Sequence, residues 1–344
     1  MQTIEIKTAA GKRSKIFIGE DFIKFQDYLP VRKAILIIDE NIFALYGSFF
    51  KNFQCIKIQA SESNKTLKTV ENIILKLVEY QIDRAAFIVG VGGGITCDIA
   101  GFTASVYTRG LPFGFISTSL LSQADASVGG KNGINFCGLK NMIGTFNQPE
   151  FVICDTNMLD TLPQKEFLCG LSEIIKIALI KDAGMFNFIE NKSNDILKRN
   201  KTVLQKLITK SIQHKADIVV RDEFEKGERR ILNFGHTLAH AIEANDCIPH
   251  GFAVSIGIMF AAKISKYFGL ISSDIIDSIE HLLVRLGLPC HTDIDDGLLL
   301  NAVIADKKKN DDEINFVLLD GEIGKATEKS IKINTFKTLI SAFK

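Results

Sequence analysis

Ala85-Ala86-Phe87-Ile88-Val89-Gly90-Val91-Gly92-Gly93-Gly94-Ile95-Thr96-Cys97-Asp98 decides the fold. Its first five residues form a short apolar run of strand type, five positions rich in glycine follow, and apolar residues at helical spacing continue over 95–107. Outward from it, Ala34-Ile35-Leu36-Ile37-Ile38 is a continuous apolar run, as a strand buried on both faces needs. Residues 68–80 carry Val70, Ile73, Ile74, Leu77 and Val78 at helical spacing, and 113–118 reads as a further strand. Strand alternating with helix predicts a parallel α/β sheet of Rossmann-like type.

A strand running through glycines into a helix suits a phosphate. The helix start presents backbone N–H groups and a positive dipole end, and glycine lets an anion approach them. The spacing G-x-G-x-x-G is not met, because Cys97 holds the third glycine position, so a tight turn without ligand is the competing reading. Asp39, ending the earlier strand beside Glu40 and Asn41, either holds ribose hydroxyls or caps a helix. Beyond Arg109-Gly110 lies a dense polar stretch: Thr118, Ser119, Gln123, Asp125, Ser127, Gly129-Gly130-Lys131 and Asn132, then Lys140-Asn141. Glycines beside lysine suit an oxyanion, although surface loops use the same residues.

The 344 residues exceed one ordinary core and suggest two domains. After about 155 the texture becomes helical, over 164–181, 200–223, 237–245, 253–268 and 273–286, with a late hairpin from 314–319 through Asp320-Gly321. We therefore expect a Rossmann-like domain at 1–157, a mainly α-helical domain at 158–344, and an active site in the cleft between them. Lys and Arg (41) nearly balance Asp and Glu (40), which argues against a nucleic-acid or membrane surface but leaves room for a small anionic substrate. Seven scattered cysteines without a C-x-x-C pair argue against disulfides and thiolate zinc. No signal peptide or membrane-length apolar run is found, so a cytoplasmic protein is expected.

Three of the six histidines, His236, His240 and His250, fall within fifteen residues. His236 and His240 are four apart and share a helix face, a metal-ligand spacing, although H-E-x-x-H is not met. Glu173 is a carboxylate in an otherwise apolar helix and requires a cationic partner. Together these point to a metal site anchored by His236, with three protein ligands and an open position. His214-Lys215 sits on a long polar helix, where spacing alone gives a solvated face, and His281 and His291 read as surface residues.

The motifs together resemble 3-dehydroquinate synthase. The resemblance rests on Gly92-Gly93-Gly94-x-x-x-Asp98-x-x-Gly101-Phe102-x-Ala104, Arg109-Gly110, Asp125-x-Ser127-Val128-Gly129-Gly130-Lys131 and Gly138-Leu139-Lys140-Asn141. It continues through Glu173-x-x-Lys176, Arg229, Asn233-Phe234-Gly235-His236-Thr237-x-x-His240-Ala241-x-Glu243, His250-Gly251-x-Ala253-Val254 and Asp306-Lys307-Lys308, covering nearly the whole chain. It implies conversion of 3-deoxy-arabino-heptulosonate 7-phosphate to 3-dehydroquinate and phosphate in the shikimate pathway. That reaction uses NAD catalytically and a divalent metal, zinc or cobalt. Transient oxidation at C5 is followed by phosphate elimination, re-reduction and aldol closure.

Residue by residue, the resemblance makes Glu173, His236 and His250 metal ligands, so His240 is no longer one. Asp39, Asn41, Glu62, Lys65, Gly94, Asp98, Thr118, Ser119 and Lys140 become NAD contacts. Asp125, Lys131, Asn141, Lys176, Lys215, Arg229, Asn233, His240, His250 and Lys307 face the substrate, with Lys131 and Asn141 counted among the catalytic groups. Glu225 and His240 match positions of proton transfer, and Arg109 matches a residue that reaches the neighbouring subunit's site, implying a homodimer. The family usually has Thr-Thr at Thr118-Ser119, often Gly at Cys97 and commonly Ser at Ala126. Cyclases forming inosose or valiolone rings tend to alter the carboxylate contacts that match the synthase here at Lys140, Asn141, Lys215, Arg229, Asn233 and Lys307. Glycerol-dehydrogenase relatives lack the block Val128-Gly129-Gly130-Lys131.

Overall fold

The computed structural model describes residues 1–8, 11–30, 33–245, 248–307 and 312–343, without the side chains of Asp306 and Lys307. It divides into two compact units, Met1–Leu162 with Leu204–Phe224, and Pro163–Val203 with Glu225–Lys344.

The first unit opens on an antiparallel hairpin, β1 (Gln2–Lys7) and β2 (Arg13–Ile18), with Ile4 and Ile6 inward and Thr3, Glu5 and Lys7 outward. Next, β3 (Ala34–Asp39) runs into α1 (Glu40–Tyr46), β4 (Gln54–Ile58) precedes α2 (Leu67–Glu79), and β5 (Phe87–Gly92) turns into α3 (Gly94–Val106). After β6 (Phe113–Ser117), a separate hairpin of β7 (Lys131–Phe136) and β8 (Leu139–Phe146) comes before β9 (Phe151–Cys154). Among the described residues seven strands form one sheet, ordered β1-β2-β9-β6-β5-β3-β4, in which only the β1–β2 pair is antiparallel. The parallel strands β3, β5, β6 and β9 are apolar on both faces because helices cover parallel sheets on both sides. α2 buries one stripe, Val70, Ile73 and Leu77. The chain leaves β3 toward β4 and leaves β5 toward β6, so β3 and β5 adjoin at the switch point where open α/β sheets take ligands.

The second unit is mainly helical. α4 (Gln164–Lys181), α5 (Ala183–Asn191) and α6 (Ser193–Leu197) precede α7 (Lys201–Arg221), most of which groups with the first unit. Then come α8 (His236–Asn245), α9 (His250–Tyr267), α10 (Ser273–Leu286), α11 (Asp296–Lys307), the hairpin β10 (Glu313–Asp320) and β11 (Glu322–Lys332), and α12 (Ile333–Phe343). α4 and α9 are buried almost all round, as central helices must be, and pack on each other. Two glycines set how closely. A methyl on Gly251 would overlap the Cys169 backbone of α4, and one on Gly257 would overlap the Gly235 carbonyl just before α8. α8 and α9 begin earlier than the periodicity suggests, taking in His236 and His250 as their first residues.

Candidate active site

In the first unit the carboxyl end of β5 carries the glycine cluster. A Cβ on Gly90 would come 2.8 Å from Ala100 Cβ, and one on Gly92 2.5 Å from Thr96 Oγ1, so the turn into α3 needs both glycines. Gly93 caps α3 with no side chain, which leaves the helix start clear at Gly94. Thr118 N–H donates to the Gly92 carbonyl at 2.9 Å, and the Ser119 hydroxyl bonds Ser122 at 3.1 Å, bringing Gly94, Thr118 and Ser119 to one corner. Asp39 accepts from Asn41 N–H at 2.9 Å and so caps α1. That satisfies the plainer of its two readings.

A second group lies alongside. Lys65, only 4% exposed, joins the Asp98 carboxylate to Asn141 Oδ1, the latter at 2.5 Å. Burial pushes the Asp98 carboxyl up, with Lys65 pulling against it. Asn141 N–H donates to Asn135 Oδ1 at 2.8 Å, and Asn135 Nδ2 donates to Glu62 Oε1 at 2.7 Å. One network therefore links Glu62, Lys65, Asp98 and Asn141 through Asn135, which the sequence reading had not singled out. Its signal was its place two residues before the Cys137-Gly138 turn, where both φ angles are positive (51° and 78°). Lys131 and Lys140 are exposed.

Asp125 sits in a single π-helical turn, Ser122–Ala126, a device common at functional sites. Lys215 on α7 bonds its Oδ1 at 2.6 Å and its carbonyl at 2.8 Å, and Ser211 donates to the Ala124 carbonyl at 3.1 Å. Lys215 is thus buried, against the solvated face that helical spacing suggests. Arg109 stands in a left-handed turn (φ 49° at Thr108, 70° at Arg109) and lines a groove of about 1160 Å³ with Lys12, Arg13 and Lys15.

In the second unit three ligand atoms, from Glu173 on α4, His236 opening α8 and His250 opening α9, lie within 4.8 Å of one another. His236 Nε2 is 3.5 Å and His250 Nε2 3.2 Å from the same oxygen, Glu173 Oε1. Glu173 is buried in α4 and ion-paired with Lys176, itself 3% exposed, one turn along. His236 Nδ1 lies 3.1 Å from the Phe234 carbonyl, which places the proton on Nδ1 and aims the Nε2 lone pair at the carboxylate. A lone pair facing a carboxylate oxygen is repulsive unless a cation stands between them. Two imidazoles and one carboxylate are a fitting donor set for zinc or cobalt with an open position.

His240 is exposed and outside this triplet, its ring 5.7 Å from that of His236. Glu225, at φ 58°, accepts from Asn233 Nδ2 at 2.8 Å, and Arg229 on the intervening turn is 1% exposed. Glu243 faces His250 Nδ1 at 3.3 Å, a role absent from the sequence reading. Lys307 ends α11, and its side chain lies outside the described residues.

A parallel sheet with a glycine-rich turn at its switch point, joined in one chain to a helical unit holding two histidines and a glutamate, defines a class: metal-site α/β proteins of nucleotide-binding architecture. The family models described as 3-dehydroquinate synthase N-terminal and 3-dehydroquinate synthase C-terminal match residues 55–169 and 170–309. A 3-dehydroquinate synthase of Dehalococcoides mccartyi is 37% identical over 326 residues, 90% of this chain and 91% of the relative. One of Ruminiclostridium cellulolyticum is 40% identical over 318 residues, 88% and 87% of the two chains. The crystal structure of 2-deoxy-scyllo-inosose synthase complexed with carbaglucose-6-phosphate, NAD+ and Co2+ superposes with a TM-score of 0.89 at 26% identity, covering 100% of both chains. The chain belongs to the 3-dehydroquinate synthase family.

Proposed function

We propose that the chain converts 3-deoxy-arabino-heptulosonate 7-phosphate to 3-dehydroquinate and phosphate, as a carbon–oxygen lyase of the shikimate pathway. The observation that carries this reading is the convergence of Glu173, His236 and His250 in a chain that matches the family along most of its length. When bound, a divalent ion supplies Lewis acidity toward substrate hydroxyls, and NAD supplies a reversible hydride acceptor. Glu173, His236 and His250 hold the ion. Gly94, Thr118 and Ser119, with Asp39, Asn41, Glu62, Lys65, Asp98 and Lys140, form the NAD set.

A substrate with a carboxylate and a phosphate needs cations at both ends. Lys131, Lys176, Lys215, Arg229 and Lys307 fill that role, with Asp125, Asn141 and Asn233 holding hydroxyls. Glu225 is held by Asn233 and His240 is open to solvent, so both are suited to carrying protons. We place the enzyme in the cytoplasm as a homodimer in which Arg109 serves the neighbouring subunit. Free thiols at Cys55, Cys97, Cys137, Cys154, Cys169 and Cys290 are consistent with a reducing compartment, and no helix among the described residues is long and apolar enough to cross a membrane.

The test is release of inorganic phosphate from the heptulosonate phosphate by purified protein loaded with Zn2+ or Co2+ and supplied with NAD. Cyclisation of sedoheptulose 7-phosphate, with no release from the heptulosonate, would assign the chain to the valiolone type instead.

A further inference from the structure

We infer that Glu243 is a positioning residue for the metal centre, holding His250 in the tautomer and ring orientation that aim Nε2 at the ion. The inference rests on Glu173, His236 and His250 being the ligand set. A neutral imidazole has one protonated and one lone-pair nitrogen, and only the latter binds a metal. The group facing the other nitrogen therefore decides which way the ring can ligate.

At His236 that group is a backbone carbonyl, Phe234 O at 3.1 Å from Nδ1. At His250 it is a carboxylate. Glu243 Oε1 lies 3.3 Å from Nδ1, while Nε2 faces Glu173 Oε1 at 3.2 Å. Both partners are carboxylates that only accept, so once an ion held at Glu173 takes the Nε2 lone pair, Glu243 keeps the one remaining ring proton on Nδ1. The Glu243 side chain is 4% exposed, so its direction is fixed by packing rather than by solvent.

Glu243 stands on α8 seven residues after His236, two turns along the same face. One rigid helix thus carries a ligand and also the orienting group of a second ligand on α9. A carboxylate partner makes an imidazole a stronger donor than a carbonyl partner does, which leaves His250 as the stronger of the two nitrogen ligands.

The test measures zinc affinity by chelator competition, and the visible spectrum of the cobalt form, in full-length wild type, Glu243→Gln, Glu243→Ala and His236→Ala. Loss of an outer partner of this kind costs about 10–100-fold in metal affinity. We expect binding about 100-fold weaker in Glu243→Ala and about 10-fold weaker in Glu243→Gln, with altered cobalt spectra in both. A purely structural role would lower the melting temperature of the metal-free protein and leave affinity and spectrum unmoved. Should Glu243→Ala fail to fold, Glu243→Gln decides. Wild-type affinity with an unaltered spectrum in Glu243→Gln overturns the inference. Equal zinc binding by wild type and His236→Ala would instead overturn the ligand assignment beneath it.

Discussion

Burial works against the charge on Glu173, but Lys176 and the two histidines outweigh it and hold the carboxyl well below the usual carboxylate range. Burial, with Lys176 adding to it, pushes His236 down to about 3, so that ring is neutral at working pH. His250 goes the other way. Burial opposes its charge, yet the hydrogen bonds to Glu173 and Glu243 raise it to about 9. In the metal-free protein His250 therefore carries a proton that an incoming ion must displace. We expect zinc loading near pH 7.5 to release about one proton per ion, read with an indicator in weak buffer, and the release to fade as pH passes 9. No release near neutral pH would contradict this. The sign for stability follows from linkage: the His250 contribution is full below its ordinary value of 6.5 and is lost as pH rises through about 9. With 36% of the side chain exposed, water trims its size. His236 acts oppositely, costing stability as pH falls from 6.5 toward 3. At the same scale, His236→Ala should lose the ion. His240→Ala should keep the ion yet slow turnover by about 10²–10⁴-fold, checked by metal analysis beside phosphate release.

Between elements, the ligand geometry depends on residues that ligate nothing. Gly251 lets the start of α9 rest on α4 at Cys169, one turn before Glu173, and Gly257 lets α9 rest on the Gly235 carbonyl, next to His236. Gly257→Ala should cost about 1–3 kcal/mol by overpacking and also weaken zinc binding, although every ligand remains. Denaturant unfolding of the metal-free protein and a zinc titration check the two parts separately. Unchanged zinc affinity in a destabilised variant would separate packing from the metal site. Much at this scale was legible in the sequence. α10 shows its stripe, and Glu173 stands out because a carboxylate in the apolar middle of a helix demands a cation. The β7–β8 hairpin was not legible, because its Gly, Asn and Lys content resembles a loop and its support comes from α3, where Gly101 makes room for Asn132. The contact of Glu243 with His250 was hidden too, since the partner lies on the next helix and Glu243's own spacing is that of any helical glutamate. Lys215 misled for the same reason: a helix period says which residues share a face, not what covers that face.

On the scale of the whole molecule, the parallel sheet could be read from its apolar runs, and a change to helical texture begins after about 155 in the residues. The return of Leu204–Phe224 to the first unit left no such mark, because a helix has the same period whichever core it serves. That segment gives Gln205 to the Ile18 carbonyl, Ser211 to Ala124 and Lys215 to Asp125. A fragment of residues 1–162 should therefore be soft around the Asp125 turn, with fast amide exchange there. A peptide of residues 204–224 added in trans should restore protection. Full protection in the fragment alone would show the segment to be dispensable. The same threading governs the order of events at the ribosome. The first unit is not complete until residue 224 has emerged, and by then Pro163–Val203, with its Glu173–Lys176 pair, has already been synthesised and must wait for His236 and His250. Synthesis therefore runs through a stage in which an apolar helix bearing a charged pair has left the tunnel without its core, and that is the interval in which a chaperone has most to hold.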